Sequence, residues 1–222
     1  EDGTLTVSNS ITDEDGMGTV TYLWSTGATT ESITLGQSDV GTTITVTASY
    51  TDGFSASETM TSTATAAVAN VNDSPGGAVT IAGTAVEDGT LTVSNSITDE
   101  DGMGTVTYLW STGATTESIT LGQSDVGTTI TVTASYTDLQ LTAETMTSAA
   151  TAAVANVNDS PGGAVTIAGT AVEDGTLTVS NSITDEDGMG TVTYLWSTGA
   201  TTESITLGQS DVGTTITVTA SY

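Results

Sequence analysis

Thr128-Thr129-Ile130-Thr131-Val132-Thr133-Ala134-Ser135-Tyr136 alternates apolar and hydroxyl side chains. A period of two is the spacing of a β-strand with one face buried, because successive side chains leave the pleated backbone on opposite sides. Ile130, Val132, Ala134 and Tyr136 are therefore expected to face a core, and Thr129, Thr131, Thr133 and Ser135 to face away from it. The same alternation recurs upstream in Ile119 and Leu121, in Val106, Tyr108 and Trp110, in Leu91 and Val93, and in Val79 and Ile81. Asp88-Gly89, Asp101-Gly102, Gly113 and Gly127 supply turns between these runs, and no segment has the apolar spacing of a helix. Strands are expected over residues 78–86, 90–97, 105–111, 117–121, 128–137 and 144–156. Six or seven short strands of this kind make a small antiparallel sandwich, with Trp110 and Tyr136 as its aromatic centre and not as a carbohydrate platform.

The segment from Glu1 to Tyr50 recurs unchanged at Glu87–Tyr136 and at Glu173–Tyr222, a period of 86 residues. That is longer than the roughly 20–50 residues of a solenoid repeat and suits a small autonomous domain. The chain therefore reads as all-β, a linear array of three sandwiches: residues 1–72 without a first strand, 73–158, and 159–222 without a last strand. Between the first two copies nearly all differences fall in one short segment, where Gly53-Phe54-Ser55-Ala56-Ser57 becomes Leu139-Gln140-Leu141-Thr142-Ala143.

Composition excludes much chemistry. The 222 residues include 27 Asp plus Glu and no Lys, Arg, His or Cys, giving a formal charge of −27. Without His or Cys there is no imidazole base, thiol nucleophile, disulfide or thiolate zinc site. Without Lys or Arg there is no Schiff base or guanidinium clamp, and a wholly anionic surface repels nucleic acid and anionic membrane faces. No apolar run of about 18 residues is present to insert into a membrane. What remains is carboxylates, amides, hydroxyls and backbone carbonyls, which are ligands for hard cations.

The order of several pieces resembles the tandem immunoglobulin-like and cadherin-like repeats of giant bacterial surface adhesins, including those exported by type I secretion. These pieces are the linker Ala-Asn-Val-Asn-Asp-Ser-Pro at 69–75 and 155–161, Glu-Asp-Gly before the second strand and Asp-Glu-Asp-Gly after it. Trp110 follows, then Ser124-Asp125-Val126-Gly127 ahead of the alternating Thr strand. The resemblance covers the whole chain. It implies sandwich domains in series, an extracellular or cell-surface location, a part in cell adhesion or biofilm formation, and no enzymatic activity.

In a sandwich of that type, alternating strand direction sends three acidic stretches to one junction between consecutive domains. At the first junction these carry Glu1, Asp2, Asp39, Asn70, Asn72, Asp73, Asp99 and Asp101. At the second they carry Glu87, Asp88, Asp125, Asn156, Asn158, Asp159, Asp185 and Asp187, with Glu186 in the same loop. Asp138 and Glu144, flanking the variable segment, are secondary candidates beside the Asp99 loop. Calcium takes six to eight oxygen ligands, whereas magnesium prefers octahedral sites and keeps its water, so calcium is the expected cofactor. Read singly, the same motifs are ordinary hairpin turns and solvated loops.

The leading expectation is a stalk or filament whose junctions are stiffened by calcium, with neighbouring repeats as partners. The second is a fibre subunit in which one chain completes a neighbour's sheet by strand addition. The third, a glycosidase using two carboxylates, fits poorly with the same acids recurring in three copies.

Overall fold

The computed structural model describes residues 1–222. It is all-β, with antiparallel ladders and no α-helix. The first copy of the repeat contains β1 (Thr4–Thr6), β2 (Thr21–Trp24), β3 (Ser32–Thr34), β4 (Val46–Thr51) and β5 (Ser57–Thr61). The second contains β6 (Val79–Ala82), β7 (Thr90–Asn95), β8 (Thr107–Trp110), β9 (Ser118–Thr120), β10 (Val132–Thr137) and β11 (Ala143–Thr147). The third contains β12 (Val165–Gly169), β13 (Thr176–Asn181), β14 (Thr193–Trp196), β15 (Ser204–Thr206) and β16 (Val218–Ser221). Each copy forms two sheets. Their strand orders are β1-β3 with β2-β4-β5, then β6-β7-β9 with β8-β10-β11, then β12-β13-β15 with β14-β16.

The chain divides into two compact units. The first holds residues 1–82, 93–117 and 131–149, and the second residues 83–92, 118–130 and 150–222. One core of the first unit gathers Trp24, Ile33, Leu35 and Ile44, with Leu5, Val7 and Val46 packed against them, and so joins side chains of both sheets of the first copy. The second unit gathers Leu177, Val179, Trp196, Ile205 and Leu207 in the same way. Each buried indole meets its polar requirement locally: Trp24, Trp110 and Trp196 donate Nε1–H to the carbonyls of Thr30, Thr116 and Thr202 at 2.8, 2.7 and 2.8 Å.

The alternating strand behaves as its pattern requires. Ile130, Val132, Ala134 and Tyr136 are all buried, while Thr129 is exposed and Thr131, Thr133 and Ser135 are half-buried. Every expected strand is shorter than the pattern suggested, β10 itself beginning only at Val132, and two fall furthest short. The run over 78–86 ends at Ala82, where Gly83 adopts a φ of 116°. The run over 144–156 occupies only Ala143–Thr147. Beyond it the small residues offer no alternating apolar anchor, and hydroxyls replace the ladder: Ser148 Oγ accepts from Val132 N at 3.1 Å and Thr151 Oγ1 from Ile130 N at 3.0 Å. The chain re-pairs at Val154 with Val126 and at Ala155 with Val86, in isolated parallel bridges that lead straight into the linker.

Gly163 shows how closely two turns approach. Its φ is +87°, and a Cβ there would lie 2.0 Å from the Ser182 carbonyl oxygen. Gly163→Ala is expected to destabilise the second unit by about 1–3 kcal/mol, read as a lower urea midpoint with an unchanged slope.

Candidate metal centre

The Glu-Asp-Gly turn aims its glutamate inward. Asp88 sits at φ 59°, a left-handed corner, and donates its N–H to Leu121 O at 3.0 Å, while Glu87 donates its N–H to Ala155 O at 2.8 Å. The Glu87 side chain is 3% exposed. The linker closes over it, with Val157 N–H donating to Oε2 at 3.1 Å. The Gln123 side-chain amide lies against the same carboxylate, 2.5 Å from Oε1 and 3.1 Å from Oε2, and would donate to it with the amide turned over. Gln123 opens a 3₁₀ turn, Gln123–Asp125, and the Asp125 carboxylate secures that turn by accepting from Gly122 N at 3.0 Å.

The Asp-Glu-Asp-Gly loop supplies the other wall. In the first unit Asp99 Oδ1 accepts from Asp101 N at 2.9 Å and Oδ2 accepts from the Tyr136 hydroxyl, so Asp99 shapes the loop. Asp101 is 2% exposed, accepting from Gln37 Nε2 at 3.1 Å and from the linker Asp73 N at 2.8 Å. In the second unit Asp185 accepts from Asp187 N at 2.9 Å and from the Tyr222 hydroxyl, and Asp187 accepts from Asp159 N at 2.8 Å.

Two sets of carboxylates converge, one in each unit. Oxygens of Glu1, Asp73 and Asp101 lie within 4.8 Å of one another, as do those of Glu87, Asp159 and Glu186. Like charges about 4 Å apart repel by roughly 1 kcal/mol in water and roughly 4 kcal/mol at the effective dielectric of a protein surface. The chain has no Lys, Arg or His to offset this.

Several buried oxygens are orphaned. Glu1 Oε2, Gln37 Oε1 and Asn70 Oδ1 in the first unit, and Asp187 Oδ1 in the second, are buried without a hydrogen-bond partner. All are acceptors. An unsatisfied buried acceptor costs about 1–3 kcal/mol, and one cation would satisfy several at once. A donor set made only of carboxylate and amide oxygens fits a hard cation such as calcium.

The candidates thus separate by role. Glu1, Asp73 and Asp101 gather in the first unit, and Glu87 and Asp159 gather with Glu186 in the second, where Asp187 accepts from Asp159 N–H; Asn70 carries a buried Oδ1 without a partner. Asp39 and Asp125 hold their 3₁₀ turns, and Asp2 and Asp88 are exposed left-handed corners. Asn72 and Asn158 donate Nδ2 to the carbonyls of Asp73 and Asp159, Asn72 also reaches Glu144 Oε1 at 2.8 Å, and Asn156 is exposed. Asp138 is 3% exposed, with Oδ1 accepting from Gln140 and Thr142 N–H and Oδ2 unpartnered. Gln37 and Gln123 were missed, because a search for acids passes over neutral amides. Their signal is a place two residues ahead of Asp39 and Asp125 on the same turn.

Burial, together with the hydrogen bond to Asp99, pushes the Tyr136 phenol well above its ordinary value. The hydrogen bond to Asp13 pushes Tyr50 up to about 12. A raised phenol means that the folded state keeps a proton which the unfolded chain releases near pH 10. The associated stability is complete below that pH and falls as pH rises through the folded values. Thermal unfolding followed from pH 8 to 12 is expected to show this decline, and Tyr136→Phe to make it shallower.

The sequence matches no protein-family model and no curated protein. Among solved structures it is similar to the crystal structure of a tetra-tandem repeat in the extending region of a large adhesion protein, at 18% identity and a TM-score of 0.22. That likeness covers 93% of this chain and 57% of the other, too slight a match to carry a functional argument.

Proposed function

We propose that this chain is a structural repeat region, the stalk or filament of a large extracellular bacterial surface protein, held at its junctions by calcium and supporting adhesion. The observation that supports it is an acidic, oxygen-only cluster at each linker, built both times from the Glu of the Glu-Asp-Gly turn, the linker Asp and an acid of the Asp-Glu-Asp-Gly loop, with buried acceptors that have no donor. Glu1, Asn70, Asp73 and Asp101, with the Gln37 amide oxygen, would hold the ion in the first unit, and Glu87, Asp159, Glu186 and Asp187 in the second. A bound calcium supplies positive charge where the chain has none. The linker N–H bonds from Val71 to Glu1 and from Asp73 to Asp101 already orient two of the carboxylates.

Recurrence in successive copies suits repeated ligation better than one shaped active site. An ion shared between linker and domains would restrict the hinge. Small-angle scattering with calcium and with chelator tests this: calcium should narrow the distribution of dimensions, with magnesium much less effective. Identical profiles in the two conditions would remove stiffening from the account.

A further inference from the structure

In the second copy, where both sheets have three strands, β8 pairs with β10 on one side and leaves its other edge open. Its counterparts β2 and β14 hold the same edge place in the first and third copies. Ser25 N–H donates to Thr45 O on the β4 side, whereas Trp24 N–H donates to Ala28 O on the other, both at 2.8 Å. Main-chain groups alternate in direction along a strand, so Tyr22 turns its N–H and C=O to the open edge. Tyr108 and Tyr194 do the same, since Ser111 and Trp110, and Ser197 and Trp196, make the matching bonds. The run from Thr105 to Trp110 carries neither a charge nor a proline, two devices that blunt exposed edges. Beside β2 lies a groove of about 570 Å³ lined by Val20, Tyr22, Leu23, Thr29 and Glu31. A counterpart of about 620 Å³ lies beside β14, with Glu203 in the place of Glu31. Glu31, Glu117 and Glu203 are exposed, and the chain has no Lys, Arg or His to meet them.

We propose that this edge takes an extended segment of a different protein, alternating apolar and basic residues, as an added strand. The incoming main chain bonds to the outward peptide groups of Tyr22, its apolar side chains cover the half-buried Val20 and Tyr22, and its Lys or Arg meets Glu31. The open stretch of each edge is short, so affinity per copy is modest, and the recurrence of the edge lets a repetitive partner bind through several copies at once. Charge decides the class of partner. A second copy of this chain would bring a net charge of −27 and no cation to the groove, whereas a basic segment supplies what the glutamate lacks. Neither acidic linker cluster takes part, so peptide binding and calcium binding succeed or fail separately.

A fluorescent peptide of alternating Val and Lys, titrated into the intact 222-residue chain at about 0.15 M salt and followed by anisotropy, provides the test. Saturable binding is expected, with slower hydrogen exchange at Tyr22, Tyr108 and Tyr194. The same peptide N-methylated along its pairing side keeps its charge but loses its donors, and should bind on the order of tenfold more weakly. Glu31→Gln, Glu117→Gln and Glu203→Gln combined in one chain should weaken the parent peptide by about a few-fold. Equal binding of the two peptides would reduce the effect to attraction by net charge and overturn the proposal, as would absence of saturable binding or undiminished binding to the triple variant. Self-association of the chain that the peptide competes away would overturn the choice of partner and give the edge to a second copy.

Discussion

Saturating calcium is expected to raise the unfolding midpoint of the chain by on the order of 10 °C or more over the chelated form. A ligand that binds only the folded state at a hundred times its dissociation constant adds about 2.7 kcal/mol per site. There is one acidic cluster in each compact unit, so each unit should gain its own increment if both clusters take the ion as proposed. Asp101→Asn separates this mechanism from general salt screening. In calcium the variant should lose most of the gain of the first unit, because the 2%-exposed carboxylate between Gln37 and Asp73 has lost its charge. In chelator it should be within about 1 kcal/mol of the wild type or above it, because one of three crowded negative charges is gone. The order of the two proteins therefore changes with the ion. Differential scanning calorimetry in both conditions reads it, and a variant equally destabilised with and without calcium would argue for a purely structural Asp101.

Trp110→Ala is expected to cost about 3–5 kcal/mol whether or not calcium is present. The indole is 1% exposed, lies opposite Val132 in the β8–β10 register and donates a hydrogen bond to the Thr116 carbonyl. Truncation leaves a cavity into which the facing β10, held between β8 and β11, relaxes only partly. Trp24→Ala in the first copy should cost less, since the side chains around its equivalent strand are already more accessible: Val46 is half-buried where Val132 is 0% exposed. Denaturant titrations of the two variants give the comparison, and a Trp110→Ala protein within 1 kcal/mol of the wild type would mean that the indole does not carry the core.

The core was legible in the sequence because burial on one face of a strand imposes a period of two on the side chains, and Ile130, Val132, Ala134 and Tyr136 carry it without a break. Strand length was less legible. Residues 148–155 are small enough to continue a strand, but the hydroxyls of Ser148 and Thr151 satisfy the facing amides and end the ladder at Thr147. Strand direction in the expected type of sandwich supplied the expectation that acids meet around each linker. The division of labour among them did not follow from it. Asp99 and Asp101 are separated by one residue and look alike in sequence, yet the first is tied up by a turn amide and a phenol while the second faces the linker. That assignment depends on the direction of each carboxylate within a turn closed by Gly102 at φ 81°. Gln37 was hidden for another reason: an amide oxygen carries no charge to single it out, and besides its place ahead of Asp39 only its burial without a donor marks it.

Equilibrium calcium binding by the intact chain, compared with Asp101→Asn and Asp187→Asn, is the most direct test that the linker clusters hold the ion. Saturable binding is predicted for the wild type, with each substitution removing the share of its own unit and leaving the other in place. Calcium binding unaltered by both substitutions, or absent from the wild type at millimolar free ion, would contradict it.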